Sequence, residues 1–191
     1  MFAGCLPESK NPLSTPQIST IDARIEGVYA QQKEKSDESP AYWHFHYRGA
    51  KPGADNRARS TPWIEILGVS HEKDSGLDNG HYRALATHLG GHDYLSFVDL
   101  GPDGARKSAG NFSFARYEVN WRGNLRIWIV DKNAIAAAIK SGQLRGTVKV
   151  GKWNTSVLVT DTTARLAAYF AAAEPAKLFS GKPMVFRRVA R

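Results

Sequence analysis

From Phe112 to Asp131 the chain reads FSFARYEVNWRGNLRIWIVD. Apolar residues fall at every second position through Ala115, Tyr117, Val119 and Trp121, and again through Leu125, Ile127 and Ile129, with Arg122-Gly123-Asn124 between the runs. Alternation of this kind marks a strand with one buried face, and two such runs around a glycine turn predict a β-hairpin. A lone hairpin is marginal in water, so this one must belong to a larger sheet.

The same period recurs elsewhere. Strands are predicted over residues 24–30, 41–48, 63–72, 94–98 and 183–191, with a more weakly alternating one over 81–88 and a turn over 74–80. The run AYWHFHYR puts Trp43, Phe45 and Tyr47 on one side and Tyr42, His44 and His46 on the other. A second, basic hairpin is expected from 146–150 and 156–160. Two short helices interrupt the β pattern. Asp131 can cap one that carries Ile135, Ala138 and Ile139 on a face and stops at Gly142; Asp161 or Thr162 can cap the other, with its stripe of Leu166, Tyr169, Phe170 and Ala173 before Glu174-Pro175.

The expected fold is therefore mainly β: an antiparallel meander of about eight strands that closes into a barrel, since closure removes exposed edges. Two short helices fall in the C-terminal half, the first of them a candidate to close one end of the barrel. Residues 1–20 read as an N-terminal segment and flexible tether, because Pro7, Pro12, Ser14, Pro16 and Ser19 offer little to bury. Residues 21–191 read as a single barrel domain.

Two resemblances bear on this picture. Gly27-Val28-Tyr29 in the first strand and Arg187-Arg188 in the last resemble the lipocalin arrangement, in which an arginine from the last strand lies over an aromatic ring of the first. That implies a lipocalin-like barrel. Phe2-Ala3-Gly4-Cys5 resembles the lipobox of bacterial lipoproteins. It implies that Cys5 carries a diacylglycerol anchor, that Leu6 after it directs the protein to the outer membrane, facing the periplasm, and that the following tether reaches about 50 Å when extended.

Composition narrows the classes further. A chain of 191 residues, 42% hydrophobic and 23% charged, can bury a core, and no apolar run approaches the roughly 20 residues of a membrane-spanning helix. The net charge of +8 is uneven: residues 1–100 hold 10 Lys and Arg against 13 Asp and Glu, and residues 101–191 hold 16 against 5. Arg116, Arg126, Lys149, Lys152 and Arg187 are candidates for an anion-binding face. A single cysteine excludes an internal disulfide.

Candidate chemistry is sparse. His44 and His46 share a strand face, as metal-binding His-x-His pairs do, and a metal-dependent enzyme would use them with a more distant third ligand. No Gly-x-Ser-x-Gly elbow or His-Glu-x-x-His helix is present. Gly146-Thr-Val-Lys-Val-Gly151-Lys152 carries the letters of a phosphate loop, but its β-formers cannot offer a nest of backbone N–H groups. No cofactor is expected. If the barrel is hollow, Trp43, Phe45, Tyr47, Trp63 and Trp128 are the aromatics expected to line it.

Taken together, the sequence describes a monomeric, lipid-anchored bacterial envelope protein that binds or assembles and does not catalyse. It would hold an apolar small molecule in the barrel or a protein partner on the basic face. The contrasting reading is a cytosolic single-stranded nucleic-acid-binding barrel, in which aromatics beside Arg and Lys would stack bases.

Overall fold

The structure, a computed structural model, describes residues 6–32, 41–47, 61–72, 76–101, 110–152 and 154–190. In chain order the strands are β1 (Glu8–Ser9), β2 (Gly27–Gln32), β3 (Ala41–Tyr47), β4 (Trp63–Glu72), β5 (Gly76–Leu89), β6 (His92–Leu100), β7 (Ser113–Val119) and β8 (Leu125–Ile129). Helix α1 (Lys132–Lys140), the hairpin of β9 (Gly146–Val150) and β10 (Thr155–Val159), α2 (Thr163–Ala172), α3 (Pro175–Leu178) and β11 (Met184–Ala190) follow. Strands β2 to β8 form an antiparallel meander, and β11 closes it by pairing with β8 on one side and β2 on the other. The expected eight-stranded closed barrel is what forms.

The two-residue rhythm decides what each strand buries. Tyr29, Phe45, Ile66, Ala84, Leu95, Ala115, Tyr117, Ile127 and Phe186 point into the barrel and make one core. On β6 and β7 the opposite face is buried as well: Tyr94, Val98, Leu100, Phe112 and Phe114 pack beneath a second layer made from α1, α2, α3 and the β9–β10 hairpin. The second hairpin thus lies outside the barrel, in a three-stranded sheet ordered β1-β10-β9.

Both expected caps form. Asp131 accepts a hydrogen bond from Asn133 N, Thr162 accepts one from Arg165 N, and Gly142 adopts a left-handed φ of 77° after α1. Yet α1 does not close the barrel. It packs against the outer hairpin, and the end beneath β2 is plugged by a short 3-10 turn over Ala23–Ile25, whose Ile25 is fully buried. A third helix, α3, is added where Pro175 supplies a helix-ready φ at its first position.

The tether expectation is corrected over its described part. Strand β1 runs parallel to β10, Ser9 and Phe112 exchange two backbone hydrogen bonds of 2.7 Å, and Thr20 N donates to Ala86 O at 2.8 Å. Leu13 is 1% exposed, its N–H donates to Ser96 Oγ, and Ser14 Oγ meets Thr87 Oγ1 at 2.6 Å. A polar segment becomes ordered here because the outer walls of β5, β6 and β7 offer it one apolar slot and several serine and threonine hydroxyls. The turn expected at 74–80 is corrected over its described part, residues 74 and 75 lying outside the described residues. Gly76 to Gly80 continue β5, in register with Glu72 to Gly68.

Closure is locked by Arg188 of β11. Its guanidinium lies 5.0 Å from the centroid of the Tyr29 ring and donates to Glu26 O (2.6 Å), Gly123 O (3.1 Å), the Tyr29 hydroxyl (2.6 Å) and Arg24 O. The arginine-over-aromatic pair expected between last and first strands is present, with Arg188 as the arginine and Arg187 exposed on the outer face.

Candidate functional site

The barrel's interior divides into a filled half and a hollow half. At the plugged end Tyr29, Tyr47 and Tyr117 fill the section, with buried Asp22 among their hydroxyls. Tyr117 Oη donates to Asp22 Oδ2 at 2.8 Å, Asp22 N donates to the Tyr47 hydroxyl at 2.7 Å, and Arg24 grips both carboxylate oxygens. Burial alone would raise the Asp22 carboxyl, but the bonds from Arg24 and Tyr117 outweigh it and hold the group below the usual carboxylate range. Burial, reinforced by that negative neighbour, pushes the Tyr117 hydroxyl far up. Arg24 also bonds Asp93, which in turn holds His88.

Toward the other end lies a cavity of about 60 Å³ that opens to solvent at its mouth. One wall carries the aromatic side chains Trp43, Phe45, Tyr82 and Phe97; the facing wall carries Ala115, Ile127, Ile129 and Met184, and Ile66 and Leu95 complete the lining. No charged side chain takes part. The cavity is small beside the roughly 300–1,000 Å³ usual for small-molecule sites, so a guest larger than a single ring would extend through the open mouth.

Trp43 shapes this space. Its indole N–H donates to Gln31 Oε1 at 3.0 Å, and its ring is half-buried between the wall and the lumen. Gly68 stands directly opposite on β4 and Gly80 opposite Gly68 on β5. With no side chains at these two positions, the inner wall is flat where the indole lies.

Of the five aromatics expected to line the lumen, Trp43 and Phe45 do. Tyr47 points inward but is spent in the packed section beside Asp22. Trp63 and Trp128 are corrections, since they stand on the outer surface. Trp63 pairs with Leu85 and Trp128 with Arg116, positions of opposite parity to the lumen residues, and both pack against the second layer. Arg83 lies 5.9 Å from the Trp63 centroid and Arg116 lies 4.2 Å from that of Trp128. Ile127 and Ile129 line the lumen as their alternation requires, whereas Tyr82, Phe97 and Met184 were missed as lumen residues. The signal that finds them is register, because Phe45, Ile66 and Tyr82 form one cross-strand row.

His44 and His46 are together on the outside of the barrel, with rings stacked at 4.7 Å. Glu65 faces His46 across the ladder but is engaged by His81 at 2.9 Å and Arg83 at 2.8 Å. Burial would raise the Glu65 carboxyl; those two partners bring it below its ordinary range. Burial lowers the His46 pKa, helped by His44, and its Nδ1 has no hydrogen-bond partner among the described residues. No group of three or more His, Cys, Asp or Glu among the described residues is placed to hold a metal ion.

The candidate anion-binding residues are spread over three places. Arg126 and Arg187 are exposed on the outer faces of β8 and β11, and Lys149 and Lys152 stand on the β9–β10 hairpin. Arg116 is mostly covered, stacked on Trp128 and bonded to Glu118 at 3.1 Å. Trp121 lies outside both cores, 86% exposed with Arg122 stacked on it at 4.5 Å. Cys5 lies outside the described residues. No helix among them is long and apolar enough to cross a membrane.

Fold and cavity together define a closed antiparallel β-barrel with an apolar lumen open at one end. No family model, curated protein or solved structure matches the chain.

Proposed function

We propose that the protein is a lipocalin-like binding module that holds an apolar small molecule in its barrel and is kept at the bacterial envelope by a lipid on Cys5. The carrying observation is the hollow half of the barrel, which is walled entirely by apolar and aromatic side chains while the other half is packed solid. A packed core has no need of such a void, and an apolar ligand would recover the contacts that its lining forgoes.

The docked N-terminal segment, a strap over residues 7–20, bears on the anchor. Ser113 Oγ bonds Pro7 O at 3.2 Å, and Asn111 bonds Glu8. A lipid on Cys5 would then be followed by only a short free stretch, so the body would sit against the bilayer and not about 50 Å away. The end of β7 that receives the strap is the end at which the lumen opens, which favours exchange of an apolar molecule with the membrane.

Two measurements test this reading. Purified protein titrated with the uncharged fluorophore N-phenyl-1-naphthylamine should show saturable enhancement at one site, and its absence would remove the ligand role. Protein from a bacterial host that processes lipoproteins should partition into the detergent phase and move to the aqueous phase on Cys5→Ala. Aqueous partition of both forms would remove the anchor.

A further inference from the structure

Resting on that reading, we infer that the lumen selects a flat, uncharged aromatic ligand that stacks on the free face of Trp43. A Cβ placed on Gly68 would lie 2.7, 2.8 and 2.8 Å from Cζ3, Cε3 and Cη2 of the indole. Three consecutive ring atoms at equal distance mean that the glycine meets the face of the ring, since an edge-on approach would leave the flanking atoms much farther away than the nearest. One indole face is therefore laid on the bare wall, and the ring borders the lumen on its other side, with the Phe186 ring nearly perpendicular to it at 6.1 Å.

Gly80 extends the same arrangement. A Cβ there would come within 2.9 Å of Tyr82 Cε2 and 3.6 Å of Trp43 Cη2. The two rings lie at 26° to one another, with centroids 6.1 Å apart, so they pave one side of the cavity as a nearly continuous flat surface. Across from it stand Ile127, Ile129 and Met184, of which the unbranched Met184 can settle on the second face of a planar guest. A slot with one rigid π wall and one adaptable wall fits a ring system better than a coiled alkyl chain. Ring stacking adds a preference of about 2- to 10-fold beyond area burial. Charge is disfavoured because the lining offers no counter-ion, and the one indole N–H is already taken by Gln31. Gly68 and Gly80 thus act as specificity-determining residues by keeping the indole out of the lumen.

The test uses the full chain, N-phenyl-1-naphthylamine as the flat probe, and 1-dodecanol as an uncharged, flexible competitor. Wild-type protein should bind the probe several-fold more tightly than the alcohol. Trp43→Leu, which keeps the site apolar but removes the platform, should weaken the probe about 5-fold and leave the alcohol within 2-fold. Gly68→Ala should weaken both by lifting the indole into the lumen; Gly80→Ala serves in its place if far-UV circular dichroism shows the first variant misfolded. Equal affinity of wild-type protein for the two compounds, or an unchanged probe constant in Trp43→Leu, overturns the inference while leaving a binding lumen intact. Failure of wild-type protein to bind either compound overturns the underlying reading and the inference with it.

Discussion

Removing the Arg188 side chain tests how the barrel is held shut. Its guanidinium bonds three backbone carbonyls, those of Arg24, Glu26 and Gly123, and one phenol, and it lies over the Tyr29 ring. Hydrogen bonds to a charged group contribute about 1.5–3 kcal/mol each. Four contacts on one group do not add, however, and this group is only part-buried. About 4 kcal/mol is the expected loss for Arg188→Ala, of which about 1 kcal/mol comes from the cation–π contact. A lysine reaches fewer of the carbonyls with a single ammonium, so Arg188→Lys should lose about 2–3 kcal/mol. For a chain of this length those values lower Tm by roughly 8–16 °C and 4–12 °C respectively. Urea titration followed by tryptophan fluorescence measures the change as a shift in midpoint at constant slope. A cycle with Tyr29→Phe isolates the phenol contact and should show coupling of about 1 kcal/mol. An Arg188→Ala loss below about 1 kcal/mol, or a lysine variant as stable as wild type, would refute the clamp.

Three further outcomes follow from the structure. Leu13→Ala should cost about 2–4 kcal/mol, as truncation of a buried leucine does; a cost near zero in the same titration would mean that the strap is not docked. Because the folded Asp22 pKa is lowered, its stabilisation is full above the unfolded value of about 3.9 and is lost as pH falls through the folded value. Asp22→Asn should therefore be about 2 kcal/mol less stable at pH 7 and show a flatter stability profile below pH 4 than wild type. His46 is held neutral by burial while facing His44, His81, Glu65 and Glu26, so stability should decline as pH drops below about 6.5. His46→Phe should flatten that slope, and an unchanged slope would place the titration elsewhere.

The architecture was legible wherever one strand face is wet. Tyr117 and Ile127 are buried as the alternation requires, and β2 and β11 meet. Legibility fell where a strand is covered on both sides. On β5, Ala84, Leu85, Ala86 and Thr87 are all buried, which erases the contrast and explains the weak pattern at residues 81–88. The strap was misread because its ordering depends on Ser96, Thr87 and Phe112, none of which is near it in sequence. Trp63 and Trp128 were misplaced for a related reason. Composition marks an aromatic as buried, but two buried faces exist, and only the pairing register says which one a residue occupies. The flat wall beneath Trp43 needed coordinates, because two glycines 12 residues apart become neighbours only through the β4–β5 ladder.

Closing the ring with its first and final strands has a price during synthesis. Arg188 follows Tyr29 by 159 residues, so at about 5–20 residues per second a nascent chain waits roughly 8 to 30 s between making one half of the seam and making the other. Throughout that interval the β2 edge and the aromatic interior of β3 are unshielded. Holding factors in the cell should therefore engage the growing polypeptide early and release it only when β11 emerges.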